Sequence, residues 1–368
     1  MHADTHACFS SLAHIFLVSN QQGGYSMQSI HYFAGANTAR GFVSCFEDIL
    51  PQSQQKRMYY IKGGPGVGKS TLMKRFAAAA QARGLETESF HCSSDPDSLD
   101  GVALPALGVG MMDATAPHVY DPVVPGARDT LVSLGDFLDE GALHPHAGEI
   151  AAIQKQISAR FARCYRYLAA SEQVLCAAPP PAENPVKLRE LSRELAKQLP
   201  LRDGNGSVRR LYASAFTPKG RMNLTDFAAF ERRVTIDCPF GAHATGLMEN
   251  ITRLAVERGL HVIQLLDPLM PNRIAHVVIP AHGLAFCTGQ RTAAAEGEWL
   301  DAQELFDETQ ADREQSFEGN ACELLWQRAL EQLSAAKQLH DELERFYVGN
   351  MDFERWQKVL DTLISRLG

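Results

Sequence analysis

Apolar and polar positions follow two periods along this chain, and the changes of period mark its elements. Arg57 to Ile61 (RMYYI) is a short aromatic and β-branched run, the pattern of a buried strand. After a glycine-rich stretch, TLMKRFAAAAQARG (71–84) is rich in strong helix formers and stops at Gly84. Thr87 to Cys92 reads as a second strand, SSDPDSLD as an acidic loop, and Val109 to Met112 as a compact strand ending in Asp113. From Glu149 to Leu175, Ile150, Ile153, Ile157, Phe161, Tyr165 and Leu168 recur at helical spacing. CAAPPPAENP (176–185) is a stiff break, VKLRELSRELAKQL a short charged helix, and RDGNGS (202–207) a boundary. Residues 320–367 predict long amphipathic helices, either core-facing or offered to a protein partner.

The pattern then repeats. Setting Ile61 against Ile236 (236 − 61 = 175) aligns the chain without a gap to Asp113 against Thr288, with thirteen identities in fifty-three positions. Chance would give roughly three or four for such a composition. Shared positions include Gly66/Gly241, Leu72/Leu247, Met73/Met248, the Arg-Gly-Leu at 83–85 and 258–260, Pro105/Pro280 and Gly108/Gly283. Upstream, YFAGANTARGF (32–42) matches LYASAFTPKGR (211–221). The expected fold is α/β, with two tandem domains built on mostly parallel sheets with flanking helices, each followed by long helices. Their expected bounds are 30–175 and 208–368, joined by a linker at 176–207. Residues 1–29 read as a disordered or over-extended start, with Met27 a second possible beginning.

Composition narrows the classes. A net charge of −8 and a pI near 5.9 argue against a general nucleic-acid binder. Eight scattered cysteines without a C-x-x-C pair suit reduced thiols in the cytoplasm. No apolar run is long enough to span a bilayer.

The chemistry lies between the first strand and helix. Gly63-Gly64-Pro65-Gly66-Val67-Gly68-Lys69-Ser70 fits G-x-x-x-x-G-K-[ST] and leads through Thr71 into the helix. Glycines let successive backbone N–H groups curl around phosphate oxygens, and the helix N-terminus favours anions. In such a loop Lys69 reaches the β- and γ-phosphates and the Ser70 hydroxyl binds Mg2+. Asp113, at a strand tip, is the second expected magnesium ligand. Ala114 follows it, so the general base is open among Asp95, Asp97, Asp100 and His118, each of which also suits a turn or solvated surface. Arg40 is either a phosphate contact or a surface charge, and Arg209 or Arg210 is a candidate cation acting in cis. In the second copy Gly63-Gly64 becomes Cys238-Pro239, Gly68 becomes His243, Lys69 becomes Ala244 and Asp113 becomes Thr288. The second loop reads as one that has lost nucleotide.

Gly63–Ser70 with Asp113 resembles the P-loop NTPase superfamily. The wider pattern, from HYFAGANTARGF through HCSSDPDSLDGV and DATAPHVYDP to their echoes, resembles a bacterial family of tandemly duplicated P-loop ATPase-like proteins. In that family both copies commonly carry the G-K-S loop, so the eroded second loop is a departure. The resemblance implies ATP binding with Mg2+. No N-K-x-D, T-K-x-D or L-S-G-G-Q motif is present, which leaves ATP as the expected nucleotide. Three activities fit: a slow Mg-dependent ATPase, a nucleotide-dependent switch or scaffold, and a small-molecule kinase.

Overall fold

The computed structural model describes residues 29–116, 119–177, 182–238, 241–290, 297–301, 304–306 and 315–367. The first half runs β1 (Ser29–Phe33), β2 (Gly35–Thr38), β3 (Gly41–Ser44), β4 (Arg57–Lys62), α1 (Lys69–Gln81), β5 (Thr87–Cys92), β6 (Asp95–Leu104), β7 (Val109–Asp113), β8 (Asp129–Ser133), α2 (Glu140–Leu143) and α3 (Ala147–Leu175). The second continues with α4 (Pro185–Ala196), β9 (Ser207–Leu211), β10 (Ser214–Thr217), β11 (Gly220–Asn223), β12 (Arg232–Asp237), α5 (Thr245–Glu257), β13 (His261–Leu266), β14 (Ile274–Ile279), β15 (Leu284–Gly289), β16 (Glu298–Leu300), α6 (Gln315–Val348) and α7 (Phe353–Ser365).

The chain is α/β, with two mixed sheets of mostly parallel strands. One sheet has the order β1-β5-β6-β7-β4-β8, the other β9-β13-β14-β15-β12-β16. These are the same order in the two halves, and the registers agree at the offset of 175: Ile61 pairs with Asp113 as Ile236 pairs with Thr288. Glu88 faces Ala103 as Ile263 faces Val278. Helix stops agree as well, with Gly84 and Gly259 both at φ +76°.

Each sheet holds one antiparallel strand, β6 or β14, between two partners. This corrects the reading of SSDPDSLD as a loop: from Asp95 onward it is strand β6. Leu99, Val102 and Leu104 bury their side chains there, so the strand is held by its apolar positions although its start is acidic.

The halves meet at equivalent points. Phe33 and Tyr212, related by the upstream offset (212 − 33 = 179), exchange backbone N–H···O bonds of 2.9 and 3.0 Å. Each β-hairpin carries a basic residue toward the other half: Arg40 to Asn272, and Lys219 to Asp97. Their turns are alike, with Thr38 donating to the Gly41 carbonyl and Thr217 to that of Gly220, both at 2.8 Å. Arg209 is the main strut. It is buried and bonds the Glu88 carboxylate at 3.0 and 2.8 Å and the carbonyls of Asp48 and Ile49 at 2.8 and 2.9 Å.

Packing crosses the sequence order. The long helices α3 and α6 lie along each other, while α4 covers α5 and α7 covers α1. Leu191 and Leu195 of α4 join the core of Leu247, Met248 and Ile251. Trp356, Leu360 and Leu363 of α7 join that of Leu72, Met73 and Phe76. The helix after the second half's sheet therefore closes the first half's core. Among the described residues no helix is long and apolar enough to cross a membrane.

Candidate functional site

The glycine loop from Gly63 to Gly68 connects the buried strand β4 to α1. Gly68, at φ +83°, is the N-cap of α1, and Gly66 sits at φ +69°. A side chain is strained at both angles, which accounts for glycine there. Lys69 opens the helix and folds back over the loop: its Nζ donates to the carbonyls of Gly63 at 2.8 Å and Gly64 at 2.9 Å. The same Nζ lies 3.6 Å from Asp113 Oδ2 at the tip of β7. Asp113 Oδ1 also accepts from the Thr115 N–H at 2.9 Å, which fixes its rotamer.

The next strand brings a second carboxylate. Gly101 faces Met112 in the antiparallel register, so Asp100 stands opposite Asp113. Asp100 is buried, and burial, then the Asp113 charge, pushes its carboxyl up to about 8. Ser70 Oγ accepts from the Leu99 N–H at 3.0 Å, which ties the start of α1 to β6. Lys69, Ser70, Asp100 and Asp113 thus share one place. The Ser70 hydroxyl and the two carboxylates are oxygen donors of the kind that suits a hard divalent cation, which would relieve the repulsion between the carboxylates.

Asp95 belongs to the rim of this place. Its Oδ2 accepts from Ser98 Oγ at 2.8 Å and lies 3.6 Å from Lys337 Nζ of α6. His118 lies outside the described residues. Asp97 is engaged by Lys219, whose hydrogen bond holds its carboxyl below the usual range. Arg40 reaches Asn272 and Glu172 in place of a phosphate. Arg209 is committed to Glu88 inside the joint and is not a free cation.

Sequence reasoning missed the cover over the loop. A Cβ placed on Gly64 would meet Tyr347 at 3.1 Å, one on Gly66 would meet Val348 Cγ2 at 2.9 Å, and one on Gly68 would meet Trp356 Nε1 at 2.9 Å. These residues come from α6 and α7. Lys337, His340, Glu344 and Tyr347 recur at three- and four-residue spacing along α6, a stripe that reads as ordinary amphipathic helix until its neighbour is known. His340 Nδ1 lies 3.7 Å from Glu344 Oε1, and burial pushes the imidazole below its usual range.

The second loop is built differently. Gly241 keeps the left-handed φ of Gly66, at +80°, but Ala244 stands in place of Lys69. Thr288 Oγ1, in Asp113's place, donates to the carbonyl of Ala275, in Asp100's place, at 3.0 Å. The N-terminus of α5 is capped from a distance. Glu183, in the proline-rich break, accepts from the Gly246 N–H at 2.9 Å and the Leu247 N–H at 2.8 Å. Burial raises its carboxyl from the usual range while these two bonds pull it back. Beside the first loop the equivalent position (183 + 168 = 351, from Asn184 and Asp352 as N-caps of α4 and α7) is Met351. Known proteins add nothing to this geometry. No family model, curated protein or solved structure matches the chain.

Proposed function

We propose that the protein binds ATP at the first glycine loop and hydrolyses it slowly with Mg2+, and that the second half is a degenerate copy without a nucleotide. The supporting observation is Lys69, folded onto the carbonyls of Gly63 and Gly64 and 3.6 Å from Asp113. A lysine so placed guards the anion position and can swing to a β- or γ-phosphate with little reorganisation. The Ser70 hydroxyl and the Asp113 carboxylate, with Asp100 behind it, would hold the cation. Bound Mg2+ would draw charge from the β- and γ-phosphates as it accumulates. The loop amides orient the triphosphate, the start of α1 favours its charge, and Lys69 stabilises the transferring group.

The test is Mg-dependent ATP binding and phosphate release by wild type and Lys69→Ala. Release that falls by roughly 10²–10³ in the variant is expected from losing such an electrostatic contact. A wild type that binds no ATP would sink the proposal.

One observation favours the switch reading beside it. Tyr347, Val348 and Trp356 rest on Gly64, Gly66 and Gly68, so the loop cannot change shape without moving α6 or α7. Tight ATP binding with negligible turnover would select that reading.

A further inference from the structure

We propose that the site is composite, and that Lys337 of α6, which follows the second half's sheet, meets the terminal phosphate of the bound nucleotide. The proposal rests on the nucleotide reading and adds to it a residue outside the first sequence repeat. Lys337, His340, Glu344 and Tyr347 lie on one face of α6. The face is pinned at both ends of the site. At one end the Glu344 carbonyl is 3.1 Å from a Cβ placed on Gly66, and Tyr347 lies against Gly64. At the other, Lys337 Nζ is 3.6 Å from Asp95 Oδ2 and also pairs with Asp341.

Between Lys337 and Glu344 the helix rises by about 10 Å. It therefore runs from the glycine loop to Asp95 at the start of β6, the strand whose Leu99 N–H donates to Ser70 Oγ. In the motif the terminal phosphate lies at the Ser70 and metal side of the loop. The rim there is acidic, with Asp95, Asp100 and Asp113, and α6 brings a cation to it. Lys337 is only partly exposed, and on binding its ammonium would exchange Asp95 for a phosphate oxygen.

A second observation points the same way. Trp356 is 4% exposed, and its Nε1–H has no hydrogen-bond partner among the described residues. That nitrogen is the ring atom nearest to Gly68, at 2.9 Å from a Cβ placed there. An unpaired buried donor is costly, and an anion in the loop, or its water, is the acceptor it lacks. Two elements beyond the second sheet thus bring donors to the site, Trp356 beside the loop and Lys337 at the acidic rim.

The experiment compares affinities for Mg·ATP and Mg·ADP in wild type, Lys337→Ala, Lys337→Arg and Lys69→Ala. Losing a charge-assisted contact to the terminal phosphate alone weakens ATP by roughly tenfold or more and leaves ADP within about twofold. Lys337→Arg should keep most of the preference for ATP. An unchanged ATP-to-ADP ratio in Lys337→Ala overturns the proposal, and so does an equal loss of both nucleotides. If Lys69→Ala loses both nucleotides while Lys337→Ala behaves as wild type, the composite site falls and the nucleotide reading stands. A wild type that binds neither removes both.

Discussion

The two glycine loops sit at the same place in sheets of the same order, yet the groups around the two helix N-termini differ. At α1 the charges are gathered at the loop: Lys69 lies on the loop carbonyls, and Asp100 and Asp113 stand together. At α5 the corresponding charges are gone, Thr288 bonds the Ala275 carbonyl, and Glu183 binds the first amides of the helix. A helix N-terminus needs acceptors for its unpaired N–H groups wherever it is partly buried. At α5 a carboxylate of the chain itself meets that need. The comparison teaches that the scaffold and the side chains around the loop can separate: helix stops and strand register persist, while the residues around the loop are replaced as a set.

The largest expected effect comes from the joint that holds the two loops in one structure. Glu88 lies beside Ile30 in the first sheet, and Arg209 lies beside Ile263 in the second, so the charged residues meet across the halves while their sheet neighbours are apolar. Arg209→Met leaves a buried carboxylate unpaired, and a loss of about 3–5 kcal/mol is expected in urea unfolding. A loss under about 1 kcal/mol would mean that the joint is wet and that each half stands by itself.

A middle-sized effect separates the loops by their response to pH. The Asp100 carboxyl in the fold is raised from 3.8 to about 8, because burial and Asp113 disfavour its charge. Its neutral form is favoured by folding, so this contribution is complete below about pH 4 and is lost as pH rises toward 8. In that window one retained proton lowers stability by at most about 1.4 kcal/mol per pH unit. Asp100→Asn should remove this slope from metal-free protein, seen in urea unfolding at a series of pH values. Altering Ala275, its counterpart, to Ser should leave the slope in place. Equal slopes in wild type and Asp100→Asn would show that the two carboxylates are well solvated and not coupled.

Much of this architecture can be read before any coordinates, and the limits have physical causes. The loop, its strand and its helix are local features, with glycine, β-branched and helix-forming residues in order, and they lie where the pattern puts them. The offset of 175 lands on strands with the same neighbours, because apolar alternation and helix stops are also local. What a linear pattern does not contain is which surface an amphipathic helix will cover. The stripe on α7 fits any apolar groove, and its docking on α1 depends on the path of α6 along α3. Arg209 shows the same limit: an arginine at a boundary suits a catalytic cation as well as a strut, and only the position of Glu88 across the joint decides. Asp95 to Asp100 looked like turn chemistry because their types favour turns, whereas the apolar positions beyond them carry the strand.

The smallest effect sharpens the comparison most directly, because it asks whether Glu183 truly stands in for an anion. Glu183→Ala frees the Gly246 and Leu247 amides, and a loss of about 1 kcal/mol is expected, as for other helix-capping contacts. Gly246 adds a second handle, since a Cβ there would come to 2.4 Å from Glu183 Oε2. Gly246→Ala alone combines the gain of alanine in a helix with displacement of the carboxylate, so its net effect should be near zero. In the Glu183→Ala background nothing is left to displace, and the same change should stabilise by about 0.5–1 kcal/mol. Equal effects of Gly246→Ala in the two backgrounds, measured by urea unfolding, would show that the carboxylate contributes nothing to α5. ATP binding should not appear at the second loop in any of these variants, because Ala244 supplies no ammonium and Thr288 no carboxylate. Removing the internal anion exposes helix amides but does not rebuild the charges that would attract a triphosphate.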